Sequence, residues 1–439
     1  MTITELYSLF LEHPVVTTDS RNCPEGSLFF ALKGDYFDGN KFAEQALDAG
    51  CAFAIVDDSL VVTDERMILV DNVLITLQQL AKTHRKSFKI PVIGITGTNG
   101  KTTTKELTTA ILSQKYKVLA TQGNLNNHIG VPLTLLQLTH KHDIAVIEMG
   151  ANHPGEIGEL TSIVCPDYGL ITNVGYAHLE GFGSLEGVIK TKGALYDFLR
   201  EVNGVVFIHQ NNNYLTAIAG GLNKVAYGEM KYVAPIVNQY TQSLFIGGSI
   251  SESHPFLSFK WQHNRDITHV VNTNLVGGYN LENALAGIAI GVYFDIPPEK
   301  INEALTNYEP INNRSQLKKT EHNELIIDAY NANPSSMKTS LDNFSPMSFS
   351  PKAVILGDML ELGEKSKELH ADVIKQLEAC DVEQVLLCGE KFSDIEHPYI
   401  SFLTVEQLNE YLKINPLKGY YILIKGSRGI RLEKTIAFL

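Results

Sequence analysis

The sequence is short of the residues that would place it in several large classes. Among its 439 residues are five cysteines, Cys23, Cys51, Cys165, Cys380 and Cys388, scattered, odd in number and without a CxxC pair. That pattern excludes a disulfide framework and a zinc ribbon, and it fits reduced, buried thiols. Basic residues are outnumbered, 36 Lys and Arg against 49 Asp and Glu, for a net charge of −13. Broad contact with a nucleic-acid backbone needs clustered cations and is excluded, whereas a local basic pocket for an anionic small molecule is not. No apolar run approaches the roughly 20 residues of a membrane-spanning helix. The opening MTITELYSLFLEHP carries acids and lacks both a basic start and a long apolar core, so it does not read as a signal peptide. A cytoplasmic location is the expectation.

What is present is an alternation of short apolar runs with helical spacing, in three blocks. Residues 1–88 hold the strand-like SLFFALKG and CAFAIVDD, with the helical NKFAEQALDAG between them and TLQQLAKTHRK closing the block. Residues 89–311 alternate PVIGIT, KVLAT, IAVIEMG, YGLITNV, GVVFIHQ and KVAYG with helices. Antiparallel strands around HPFLSFKWQ and DITHVVNTNL follow, and then a helix at NLENALAGIAIGVYF. Residues 312–439 restart the alternation at ELIIDAY, KAVILGDM, EQVLLCGE and YYILIKGS. Strand–helix alternation implies parallel sheets covered by helices. The expected fold is therefore α/β in three domains: a small N-terminal one, a central parallel-sheet ATPase domain and a C-terminal Rossmann-like one.

The most informative stretch is GITGTNGKTTT. A strand ending at Thr96 runs into Gly97, Thr98, Asn99, Gly100, Lys101, Thr102 and Thr103, with a helix expected to begin near Thr102. Backbone N–H groups of such a loop, with the helix N-terminus behind them, cradle phosphate oxygens. Lys101 supplies a point charge for the β and γ phosphates, and the Thr102 hydroxyl can ligate Mg²⁺. The spacing departs from GxxxxGK[ST]: Ile95 stands where the first glycine would be. Glu148 ends the strand IAVIEM, which puts a carboxylate beside the loop where an ATP-bound Mg²⁺ would lie. Asn173 and His178 follow the next strand. Asp328 ends ELIID, where a carboxylate can accept ribose hydroxyls. Arg314, opening the last block, would reach the γ-phosphate on domain closure.

The short TGTNGKTT loop resembles that of the Mur ligase family, whose members build the peptide stem of bacterial cell-wall precursors; folylpolyglutamate and cyanophycin synthetases share the loop style. The resemblance extends along the chain and implies further roles. HLEGFGSLEGVIKTKG is similar to the segment whose lysine is carbamylated by CO₂. It implies that Lys192, with Lys190 as the competitor, joins His178 in holding a second Mg²⁺. In GGYNLENALAGIA, Asn280 and Asn283 match positions near the adenine. TTDSRNCPEGSLFFALKGDYFDG resembles a UDP-recognition domain, which implies substrate contacts from Ser20, Arg21, Lys33, Gly34, Asp38 and Gly39.

GNLNNHIGVPLTLL resembles the branch of the family that adds the terminal dipeptide, which implies contacts to the UDP-linked substrate from Asn124, Asn126 and Asn127 as well. EMGANHPGEI, DAYNANPSSM, LGDMLELG and IKGSRGIRLE resemble the same branch. This branch implies UDP-N-acetylmuramoyl-tripeptide and D-Ala-D-Ala as substrates, ATP with two Mg²⁺, and a monomer. Lys425, Ser427 and Arg428 of IKGSRG, at the carboxyl edge of the last sheet, become candidates for holding the dipeptide. Two rivals are the branch that adds the third stem residue and a nucleotide-binding module without turnover; the latter leaves Glu148, His178 and Lys192 without a task.

Overall fold

A computed structural model of the chain describes residues 1–177, 179–230, 244–263, 267–311 and 314–439. His178 lies outside them. The strands fall into three main sheets, as the alternation implies. In the N-terminal one, β1 (Val16–Thr17), β2 (Leu28–Phe30), β5 (Phe53–Val56) and β6 (Met67–Leu69) run parallel, while β3 (Lys33–Gly34) and β4 (Phe37–Asp38) form a separate antiparallel hairpin. The helix Val73–Lys86 leads out of this unit, and its last turn is stapled to the next one. Buried Arg85 donates to the carbonyls of Val164, Phe88 and Cys165 and to the Asp167 carboxylate. A buried guanidinium is tolerated only when its donors are satisfied in this way.

The central sheet has nine strands: β7 (Val92–Thr96), β8 (Val118–Ala120), β9 (Ile144–Glu148), β10 (Tyr168–Ile171), β11 (Val205–His209), β12 (Asn223–Glu229), β13 (Phe245–Glu252), β14 (Phe256–His263) and β15 (His269–Val276). Their order is β15-β14-β13-β12-β11-β10-β7-β9-β8, all running in one direction except β14, which pairs antiparallel with β13 and β15 at one edge. From β7 the chain crosses to the far edge at β8, comes back to β9 and then passes to the other side of β7. The strand order therefore reverses beside β7, and a crevice opens at the carboxyl ends of the strands there. Val92, Ile93 and Ile95 are fully buried, because a central parallel strand is covered on both faces.

The C-terminal sheet comprises β16 (Gln316–Lys319), β17 (Glu324–Asp328), β18 (Lys352–Gly357), β19 (Gln384–Cys388), β20 (Ile400–Phe402) and β21 (Tyr421–Lys425), in the order β16-β17-β21-β18-β19-β20. Only β16 is antiparallel. Both edge strands escape the sequence pattern: QLKK has three polar residues out of four and ISF is three residues long, so neither shows a buried apolar run. Among the described residues no helix is long and apolar enough to cross a membrane.

Candidate functional site

The carboxyl ends of the central and C-terminal sheets face one cavity of about 730 Å³. Its central-domain wall includes Thr98, Asn99, Gly100, Lys101, Thr103, Glu148, Asn280 and Asn283, and its C-terminal wall includes Arg314, Asp328, Tyr330 and Lys425. The helix Lys101–Leu112 starts one residue earlier than the sequence suggests.

Two glycines make the loop possible. Gly97 has φ +146°, and a Cβ there would stand 1.9 Å from Thr172 Oγ1; Gly100 has φ +78°, with Asn283 Oδ1 2.4 Å from the same point. Neither conformation nor space admits a side chain.

Lys101 Nζ donates to the carbonyls of Gly97 (2.9 Å) and Thr98 (3.1 Å). Burial, aided by the nearby positive charge of Arg314, pulls its ammonium down to about 8. Arg314 lies 3.9 Å over the Tyr330 ring, and its buried Nε–H has no partner among the described residues. Glu148 is 1% exposed; its Oε1 accepts from Thr102 Oγ1 (3.2 Å) and Asn126 Nδ2 (2.8 Å), while its buried Oε2 accepts from nothing among the described residues. A buried carboxylate oxygen and a guanidinium N–H left open in one cavity are costly to the protein alone. They suit a cation and an oxyanion.

Asn283 Nδ2 donates to Asn280 Oδ1 (2.9 Å), so the two asparagines of the helix Asn280–Tyr293 do share one face. Lys192, on the helix Leu185–Glu201, is 2% exposed and not a surface lysine. Its Nζ sits 5.6 Å from the Phe182 ring centre and has no hydrogen bond or ion pair among the described residues. Burial, with repulsion from Lys101, holds its ammonium well below the usual lysine range.

Comparison with known proteins identifies this arrangement. The model for the Mur ligase family, catalytic domain, matches residues 14–91; those for the Mur ligase middle domain and the Mur ligase, glutamate ligase domain match 95–291 and 313–428. The chain is 35% identical over 434 residues to the UDP-N-acetylmuramoyl-tripeptide–D-alanyl-D-alanine ligase of Bacillus subtilis (strain 168), covering 96% of this chain and 92% of that one. The chain belongs to the Mur ligase family. The protein of the same name from Escherichia coli (strain K12) is 34% identical, with 99% and 95% covered. Among solved structures, MurF from Acinetobacter baumannii superposes with a TM-score of 0.84 at 29% identity, over 96% of this chain and 92% of that one. MurF ligase from Thermotoga maritima, solved in complex with ADP, gives 0.82 at 27%, over 97% and 96%.

In this Mur ligase some expected residues are placed differently from the sequence reading. Asn99 spends its groups on protein: its N–H donates to Asn173 Oδ1, its carbonyl accepts from Thr172 Oγ1, and its side-chain amide bonds Asn333 and Ser335. These bonds shape the loop, and Asn99 also lines the cavity. Ser427 is buried, its Oγ accepting from the Leu360 N–H and donating to the Ala332 carbonyl, so it braces a loop. Lys425, also buried, is paired with Asp328 across the adjacent ends of β21 and β17. Arg428 is exposed, 5.4 Å over the Tyr330 ring, with Nη1 donating to the Tyr330 hydroxyl (3.4 Å).

Asn124, Asn126 and Asn127 line the cavity, whereas Ser20, Arg21, Lys33, Gly34, Asp38 and Gly39 lie apart from it on the N-terminal unit. There Arg21 pairs with Asp19, Lys33 pairs with Asp57, and Asp38 caps Asn40. Sequence reasoning missed Tyr330 and Ser335. Both sit in or just after the polar loop DAYNANP, whose composition was the available signal.

Proposed function

We propose that this Mur ligase joins D-alanyl-D-alanine to UDP-N-acetylmuramoyl-tripeptide, converting ATP to ADP and phosphate, in the synthesis of peptidoglycan precursors. The observation that carries this reading is the single cavity. It combines a phosphate loop, the open oxygen of Glu148 and the open N–H of Arg314 with loops of a second domain that can bring an acceptor to the same point. Full-length similarity to ligases named for this dipeptide supports the choice of branch.

In the chemistry this implies, the terminal carboxylate of the tripeptide attacks the γ-phosphorus and ADP leaves. The amine of the dipeptide then attacks the acyl carbon, phosphate departs and an amide remains. The protein's task is positioning and charge balance. Lys101 faces the transferred phosphoryl group, and Arg314 donates to its oxygens from the opposite domain. Asn280 and Asn283 lie toward the base, and Asp328 toward the ribose. The hairpin carrying Lys33, Gly34 and Asp38, with Ser20, Arg21 and Gly39, takes the UDP end, leaving Asn124 and Asn127 near the reacting carboxylate. Residues 1–88, 89–311 and 312–439 would serve UDP, ATP and dipeptide in turn.

Thr102 and Glu148 fit a Mg²⁺ ion, a hard cation that accepts one hydroxyl and one carboxylate and completes its shell with phosphate oxygens and water. When bound, the ion neutralises phosphate charge. A second ion, held by His178 and a modified Lys192, belongs to the same proposal. The Lys192 amine suits modification: its lone pair adds to the carbon of CO₂, a proton leaves the nitrogen, and a carboxylate-like carbamate results. Burial that disfavours the ammonium favours the nucleophilic amine.

Mass spectrometry of the product from ATP, D-Ala-D-Ala and tripeptides ending in diaminopimelate or lysine tests the assignment. A pentapeptide product supports it; phosphate release with a UDP-N-acetylmuramoyl-dipeptide and a free amino acid, and none with tripeptide and D-Ala-D-Ala, would move the protein to the third-residue branch. Within the C-terminal wall, Arg428 can grip the dipeptide carboxylate in a bidentate pair. Arg428→Ala should raise the KM for D-Ala-D-Ala about tenfold, a value at the low end for a charge-assisted contact because the residue is solvent-exposed. Equal small changes for all three substrates would show that the dipeptide is held elsewhere.

A further inference from the structure

The helix Pro334–Phe344 of the C-terminal domain is tied to the central domain at both ends. At its far end Asn343 Oδ1 accepts from the Gly278 N–H (3.1 Å). At its start the partner is the phosphate loop itself. Asn99 Nδ2 donates to Ser335 Oγ (2.9 Å), Ser335 Oγ donates to Asn333 Oδ1 (2.8 Å), and Asn333 Nδ2 donates to Asn99 Oδ1 (2.8 Å). The three side chains close a ring. Asn333 is at the same time the N-cap of the helix, accepting from the Ser336 N–H, so the ring fixes the helix start. On the other side Asn99 is anchored through its backbone to Asn173 and Thr172. The ring thereby joins the loop directly to a helix more than 230 residues away in sequence.

We propose that Asn99, Asn333 and Ser335 are positioning residues that form a closure latch, through which the state of the phosphate loop decides whether the C-terminal domain stays closed over the cavity. The proposal rests on the nucleotide-dependent reading above. The physical reason is geometric: Lys101 and Thr102 belong to the loop, Arg314, Tyr330 and Arg428 to the domain that must close, and the ring joins the two at one residue. Nucleotide phosphates that order the loop also align Asn99 for its two bonds. Departure of the nucleotide loosens them and opens the route by which the product leaves.

Small-angle X-ray scattering of the full chain with a non-hydrolysable ATP analogue tests this. Ser335→Ala and Asn99→Ala each remove ring bonds while keeping the Asn333 cap. Each should lower the closed-to-open ratio about five- to tenfold in the analogue's presence, as expected for one or two hydrogen bonds. The double variant should fall no further than Asn99→Ala alone, because the two act through one contact. Closed fractions unchanged in both single variants, additive losses in the double, or a loss produced by Asn343→Ala in their place would overturn the latch. A protein that closes on the analogue yet makes no pentapeptide product would instead remove the ligase assignment and leave the latch standing.

Discussion

Lys101→Ala is expected to lower kcat/KM for ligation by at least about a hundredfold, near 3 kcal/mol of transition-state stabilisation, while the protein stays folded. The fold survives because Lys101 contributes little to it: among the described residues its ammonium donates to the carbonyls of Gly97 and Thr98 and to no other group. The loop's shape is held elsewhere, by the close approach of Gly97 to Thr172 and by the bonds from Asn99 to Asn173. Activity suffers because the cavity would lose the cation that its loop aims at the phosphates, leaving Arg314 to face them alone. Phosphate release, together with a thermal melt within a few degrees of the parent, checks both halves. Near-normal turnover would remove the nucleotide role from the loop.

How much of this was readable in advance depended on the kind of signal. The phosphate loop was legible because a strand, two conformationally special glycines, a lysine and a hydroxyl occur at fixed spacing, and that pattern has one physical use. Glu148 and Asp328 were legible because a carboxylate ending a strand must lie at the carboxyl edge of a parallel sheet. Burial of Lys192 was not: a lysine on an amphipathic helix reads as surface, and only tertiary packing of Leu185–Glu201 shows that it is enclosed. The protein partners of Asn99 and Ser427 were hidden for a related reason. A polar residue in a functional loop is as apt to brace that loop as to touch a ligand, and its choice of partner is a long-range fact. The edge strands β16 and β20 were invisible because one-sided pairing demands little hydrophobicity.

Lys192→Ala should reduce turnover by roughly a thousandfold, about 4 kcal/mol, the scale of losing a charge that supports phosphoryl transfer. The effect follows from where the residue sits. Lys192 is enclosed, unpaired among the described residues and beside Lys101, so a bare ammonium there would repel the very cation the phosphates need. A carbamate reverses the sign of that charge and matches a hard cation through oxygen. Activity alone would not separate this from a packing defect, because a buried four-carbon stem also fills space. Two further measurements do. Incubation with ¹³C-labelled CO₂ should give a carbamate carbon signal in the parent protein that Lys192→Ala lacks and Lys190→Ala keeps. Formate or acetate at millimolar concentration should restore part of the activity of Lys192→Ala by placing a free carboxylate in the vacated space, and a methyl-for-lysine packing loss would not respond to it. Full activity in Lys192→Ala, or a labelled signal that follows Lys190 in its place, would assign the enclosed amine a structural role and leave Glu148 as the acid that holds the metal.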